Sequence, residues 1–367
     1  MLPYEEGTFQ KLDKIEKNII TQNYVDDDID FLLNILNSDS PRVLIERASL
    51  ILSKIQSPDI ADKVATLLFS ENAHARNVGS VILAQIWPAS REALEKLVEH
   101  PNKHIRKHAL DILNMTQSPD AVEIIAKGLD DPELNNVIAA VEYIGEYYES
   151  KYVDKIIDVM NRINEPMLIS TALESLEKIC DETCFTKLPS IISPIDIYTP
   201  IILPSFLRFL SAISRKEDIE FIEKAIEQKD IYYKELIDFL KSYTSKYAAS
   251  LDKPEKLKLI KYTCELLNSE QTPSVNKYEL VRLMAHLEPD YLISNISELL
   301  DNKDKYIVVA VLDFIGSANS DILKSCGHVK PRILEIIQDA SKNLEGFEQA
   351  ALYVAAMRAL HNLESDY

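Results

Sequence analysis

Glycine is scarce in this chain of 367 residues, with only 7 present. Tight hairpin turns draw on residues that accept positive φ, so the shortage argues against a fold rich in strands and hairpins. Cysteine is scarce as well. The 4 cysteines, at positions 180, 184, 264 and 326, are too few and too unevenly placed for a disulfide framework and lack CxxC spacing, so they read as reduced thiols. No apolar run is long enough to span a bilayer, and Met1-Leu2-Pro3-Tyr4 lacks the basic start and apolar stretch of a secretory signal. A cytoplasmic protein is expected. Positive charge is short too: Lys+Arg 40 stand against Asp+Glu 59, a net charge of −19 that repels nucleic acid phosphate and anionic lipid. Neither nucleic acid nor membrane is therefore an expected partner, whereas a neutral or basic protein is. Phosphate loops, dinucleotide fingerprints, nucleophile elbows and HExxH are all missing, so no enzyme, catalytic residue or cofactor is expected.

What is present is a repeated pair of helices. Within 100–129, Ile105, Ala109, Ile112 and Thr116 recur at helical spacing after the Pro101-Asn102 turn, with Lys103, Lys107 and Asp111 on the opposite face. Gln117-Ser118-Pro119-Asp120 then restarts the chain. Ser118 as N-cap, Pro119 at the first helical position and Asp120 at the positive end of the dipole predict a helix with Val122, Ile125 and Leu129 inward. The same tetrapeptide, Gln56-Ser57-Pro58-Asp59, opens an earlier helix facing inward through Ile60, Val64, Leu67 and Leu68.

A small residue, with apolar residues four and about seven positions later, marks each second helix. The marks are Ala48 (with Leu52 and Ile55), Gly79 (Leu83, Ile86), Ala109 (Leu113, Met115), Ala140 (Ile144, Tyr147) and Ala172 (Leu176, Ile179). Their steps of 31, 30, 31 and 32 residues predict stacked helix pairs, with small residues expected where one pair rests on the next. The phase returns at Phe206, Leu236, Leu280, Val311 and Ala356, giving ten units. The expected organisation is a capping helix in 1–25, five regular repeats in 26–183, a kink or hinge in 184–204, and five divergent repeats in 205–367. The kink is placed by Pro189, Pro194, Pro200 and Pro204, which remove backbone donors, and the 44-residue step to Leu280 predicts an insertion near 245–253.

Ala75-Arg76-Asn77-Val78-Gly79 and Ile105-Arg106-Lys107-His108-Ala109 fit a Val-Arg-x-x-Ala pattern followed by Leu. In these residues the chain resembles HEAT repeats, in particular the HEAT-like repeats shared with phycobilin lyases; repeats one, four and five lack the arginine. The resemblance implies an all-α, right-handed alpha-alpha superhelix, a HEAT-like solenoid of about ten helix pairs whose second helices line the concave side. Two HEAT-like enzyme families fit poorly. Deoxyhypusine hydroxylases hold iron with His-Glu dipeptides, and none occurs here; alkylpurine DNA glycosylases line a basic concave face with aromatics, at odds with a charge of −19 and the single tryptophan, Trp87.

Phased on the five regular marks, the outward positions of the second helices include Arg42, Glu46, His74, Asn77, Lys103, Lys107, His108, Asp111, Glu142 and Glu174. This mixed row is the candidate partner-binding surface, with Lys103 and Lys107 as a basic spot. His104, His108 and Asp111 share one sector and could hold a divalent cation as H-x3-H-x2-D, but the two lysines oppose one, and a solvated polar face with no metal is expected. The function expected is a non-enzymatic scaffold or adaptor. A bilin or other cofactor lyase-like chaperone, and a stoichiometric inhibitor or immunity-type protein for a basic partner, are the alternatives.

Overall fold

The computed structural model describes residues 3–180, 184, 186–187, 191–192, 195–342 and 346–365. Among the described residues every regular element is helical, and the chain divides into two compact units, Met1–Ile195 and Asp196–Tyr367. The fold is an all-α helical-repeat solenoid.

In unit 1, α1 (Pro3–Ile20) packs on α3 (Arg42–Leu52) and buries Leu12 and Ile15, covering the first apolar face of the stack. Between them, α2 (Asp26–Leu36) carries Asp26, Asp27 and Asp28 in its first turn, at the positive end of its dipole. The following pairs are α4 (Pro58–Ala65) with α5 (Ala73–Gln85), α6 (Arg91–Val98) with α7 (Lys103–Met115), α8 (Val122–Ile125) with α9 (Leu134–Glu146), and α10 (Val153–Ile163) with α11 (Pro166–Ile179). All five expected marks fall in second helices and are buried.

The reason for the small marks differs from the expectation. A Cβ on Gly79 would lie 3.0 Å from Cβ of Leu67, in the 3-10 turn Thr66–Phe69 that continues α4, and one on Gly128, in the 3-10 segment Ala126–Asp130 that continues α8, would lie 2.9 Å from Cβ of Ala140. At Gly79 and Ala140 the close approach is thus within a pair. The tight spot between pairs is Gly145 of α9 against Ser175 of α11, whose hydroxyl donates to the Val141 carbonyl at 2.9 Å. Met115 does not point inward but is 47% exposed, because six residues past Ala109 lies about 120° around the helix from it. Ser57 and Ser118 occupy N-cap positions without a side-chain cap bond. Asn72 and Asn102 do cap, each accepting at 2.9 Å from the amide two residues on. The helix expected after Ser118 is a composite of two 3-10 segments around the four residues of α8.

Unit 2 contains α12 (Leu203–Ile213), α13 (Ile219–Ala225), α14 (Lys229–Tyr247), α15 (Lys253–Leu267), α16 (Ser274–Leu287), α17 (Pro289–Ser294), α18 (Ile296–Leu300), α19 (Lys305–Gly316), α20 (Ser320–Cys326), α21 (Lys330–Ser341) and α22 (Phe347–Ser365). Phe206, Leu236, Leu280, Val311 and Ala356 are buried in α12, α14, α16, α19 and α22, the second helices of this unit. The long step to Leu280 is not a loop insertion. Residues 245–247 continue α14, a 3-10 turn Ala248–Ser250 follows, and Asp252 opens α15 in a reciprocal capping box with Glu255, both bonds at 2.9 Å. Extra helix length fills the step. Of the four prolines of the expected kink, Pro189 and Pro194 lie outside the described residues, while Pro200 sits in a turn and Pro204 in the first turn of α12, where a missing donor costs little.

Lysines of successive first helices in unit 1 reach back to carboxylates of the preceding pair: Lys63 to Asp26 at 3.0 Å, Lys96 to Asp62 at 3.3 Å, Lys127 to Glu95 at 2.8 Å and Lys155 to Asp130 at 2.7 Å. These are solvent-screened surface pairs, and they offset part of the acidic excess locally. Among the described residues, no helix is long and apolar enough to cross a membrane.

Candidate partner-binding surfaces

The outward row of unit 1 divides into two clefts. Arg42, Glu46 and His74 line the first, a cleft of about 500 Å³ between α3 and α5 with Ile45, Leu50 and Val78 as its apolar part. Arg42 and Glu46 pair at 2.6 Å one helical turn apart. Lys103, Lys107 and Glu142 line the second, a cleft of about 400 Å³ between α7 and α9 that also takes in His104, Glu133 and Asn135. Asn77, His108, Asp111 and Glu174 line neither cleft.

The basic spot is balanced from within. Lys103 lies 3.0 Å from Glu133, and Lys107 pairs with Asp111 while lying 3.4 Å from the Tyr143 hydroxyl. That hydroxyl donates to Asp111 at 2.5 Å; burial and then this bond to a carboxylate push the phenol well above its ordinary pKa. Among the described residues no group of three or more His, Cys, Asp or Glu side chains is arranged to hold a metal ion. Cys184 and Cys326 are buried.

The arginines that carry the repeat resemblance are structural. Arg76 donates to the Ser70 and Glu71 carbonyls at 2.7 and 3.0 Å, and Arg106 to those of His100 and Pro101 at 3.0 Å each, satisfying acceptors left at the end of the preceding first helix.

Unit 2 holds a surface that the outward positions of the first five repeats do not reach. An apolar cleft of about 260 Å³ is walled by Val275 and Tyr278 of α16 and Phe347 and Ala351 of α22, with Tyr306 and Val309 of α19 as its floor and Lys305 and Glu348 at its rim. A second cleft of about 500 Å³ continues along the same three helices, lined by Arg282, His286, Phe314 and Arg358 among others. The two share Tyr278 and Asp313, which are joined by a 2.9 Å hydrogen bond from the phenol; Arg358 donates to the other carboxylate oxygen at 3.2 Å. Gly316 lets α22 close on α19, since a Cβ there would lie 3.1 Å from Cγ of Arg358. The signal was available in the sequence. Val275, Tyr306 and Ala351 stand five residues before the marks Leu280, Val311 and Ala356, Tyr278, Val309 and Val354 two before, and Arg282, Asp313 and Arg358 two after.

No protein-family description matches the sequence, and no curated protein matches it. Solved structures do. A structure of Kap95p with RanGDP, in which binding induces the switch loops of RanGDP to adopt the GTP-bound conformation, is 13% identical with a TM-score of 0.56 over 91% of this chain. The match takes in 51% of that chain, so this protein spans about half its length. A crystal structure of an engineered protein is 14% identical over 99% of this chain and 96% of its own, with a TM-score of 0.35. The Kap95p likeness shows the helical-repeat fold; the second, at that TM-score, carries no argument.

Proposed function

We propose that this chain is a HEAT-type, non-enzymatic scaffold or adaptor of the cytoplasm that holds a protein partner against the exposed face of its second helices. The observation that carries the reading is that four clefts, two in each unit, open on second helices and are lined by mixed charges and apolar groups, beside a further cleft of about 620 Å³ where Lys229 of α14 meets Lys261 and Glu265 of α15. Among the described residues no group of three or more His, Cys, Asp or Glu side chains is arranged to hold a metal ion beside them. The Kap95p structure is itself a complex with another protein, RanGDP, which is consistent with such use of the fold. At a net charge of −19 the long-range field favours a neutral or basic partner.

The test is affinity capture from native lysate with the full chain, mass spectrometry of what is retained, and titration of the purified candidate against the chain. A stoichiometric protein complex is expected. If no protein binds while mixing with a bilin shifts the pigment's absorbance, the scaffold reading fails and the cofactor chaperone takes its place.

A further inference from the structure

We infer that the groove on α16, α19 and α22 docks an acidic, extended peptide segment of a partner protein, anchored by one bulky apolar side chain. The inference rests on the protein-binding reading above and names the ligand chemistry of one surface. At about 260 Å³, the apolar cleft has room for one large side chain between Tyr278, Tyr306 and Val309, and it is too small to seat a whole helix about 10 Å across. From Val275 to His286 the groove runs along α16 for roughly 16 Å, the reach of about five residues of extended chain.

The charges select the flanks of that segment. The two clefts are lined by three permanent cations, Lys305, Arg282 and Arg358, against two acids, Asp313 and Glu348, on a chain whose net charge is −19. Asp313 is occupied by Tyr278 and Arg358. Lys305 reaches Glu348 only at 4.0 Å and Arg282 reaches Glu279 only at 3.7 Å, loose pairs that each join a half-buried side chain to an exposed one. A ligand carboxylate displaces such pairs at little cost, because water screens surface ion pairs of this kind. A basic segment would instead meet Arg282 and Lys305 at the mouth of the groove.

The experiment is a fluorescence-anisotropy titration of the full chain with a labelled peptide of about seven residues, a phenylalanine centred among aspartates and glutamates. Two comparators carry alanine in place of phenylalanine, or lysines in place of the acids. The acidic phenylalanine peptide should bind, with the alanine peptide about tenfold weaker and the lysine peptide weaker still. Arg282→Glu with Lys305→Glu should weaken the acidic peptide by about tenfold, and Val309→Glu should abolish its binding, while Lys14→Glu, on the exposed face of α1, changes nothing. Circular dichroism melts identify variants that remain folded, and Arg282→Gln serves as a milder second variant. The inference is overturned if the lysine peptide binds as well as the acidic one, if folded groove variants keep full affinity, or if nothing binds up to about 1 mM. A partner captured from lysate whose affinity ignores the groove variants would likewise remove it while leaving the scaffold reading standing.

Discussion

Arg106 and Asp131 meet side by side, Nε and Nη2 of the guanidinium donating to the two carboxylate oxygens at 2.6 and 2.8 Å across twenty-five residues of sequence. Nη1 of the same arginine reaches back to His100 and Pro101, while Asp131 also accepts from the Glu133 amide at 2.8 Å and the Asn136 side chain at 3.0 Å. One ion pair therefore ties the turn before α7 to the turn before α9. Burial works to raise the Asp131 carboxyl, but Arg106, the Glu133 amide and Asn136 together outweigh it and hold its pKa below the ordinary value. A carboxyl depressed in the folded state stabilises fully above its unfolded pKa and loses that contribution as pH falls through the folded value. Asp131→Asn should thus cost about 1–3 kcal/mol at neutral pH, with the gap to wild type narrowing below about pH 4. Urea melts at neutral and acid pH measure it; a gap that stays constant refutes the linkage.

Gly145→Ala tests the approach of neighbouring pairs. The added methyl would stand 2.6 Å from Cβ and 2.8 Å from Cα of Ser175, so α9 and α11 must separate and the Ser175 bond to Val141 must stretch. A loss of about 1–3 kcal/mol is expected from overpacking. Gly7→Ala, in α1 with nothing within 4 Å of the new atom, should instead gain about 0.5–1 kcal/mol. Equal effects of the two substitutions would show that propensity, not the close approach, decides.

The second helices were legible because burying one face of a long helix imposes a 3.6-residue period, and Ala48, Ala109, Ala172, Phe206 and Val311 all lie in the core. The first helices were less so. After Ser118 the chain alternates short 3-10 and α-helical pieces, whose i, i+3 and i+7 positions still turn inward, so Val122, Ile125 and Leu129 are buried although α8 is only four residues long. Nor could an apolar pattern separate a longer helix from an inserted loop at 245–253, since Ala248 and Leu251 are buried in the turn that joins α14 to α15. Of the candidate row, the sequence placed Lys103 and Lys107 outward, but their partners, Glu133 thirty residues on and Tyr143 thirty-six residues on, depend on how pairs stack.

Limited proteolysis should distinguish the two connections that were expected to be irregular. The segment 245–253 should resist cleavage, because Lys246 donates to the Ile213 and Ser214 carbonyls at 3.1 and 2.7 Å, Tyr247 donates to that of Ser214 at 2.8 Å, and the Asp252–Glu255 box closes the turn. The stretch 184–204, with four prolines that remove backbone donors, is expected to be nicked first. Mapping the first fragments by mass spectrometry decides it; early cuts at 245–253 would contradict the hydrogen-bonded turn.

Once a protein partner is in hand, Lys103→Glu with Lys107→Glu tests whether it docks on the cleft between α7 and α9. Lys103 is half-exposed beside Glu133 and Lys107 is held by Asp111, so a partner carboxylate would join existing pairs rather than meet bare charge. Pairs desolvated on binding should still make the double reversal cost about 1–3 kcal/mol of affinity, with the wild-type association weakening as salt shortens the screening length below about 10 Å. Because reversal also places like charges beside Glu133 and Asp111, melting temperatures must accompany the titration, and the neutral pair Lys103→Gln with Lys107→Gln should give a smaller loss in the same direction. Unchanged affinity for both pairs, together with loss on substituting exposed residues of the first helices such as Glu95 or Asp62, would put the partner on the opposite face.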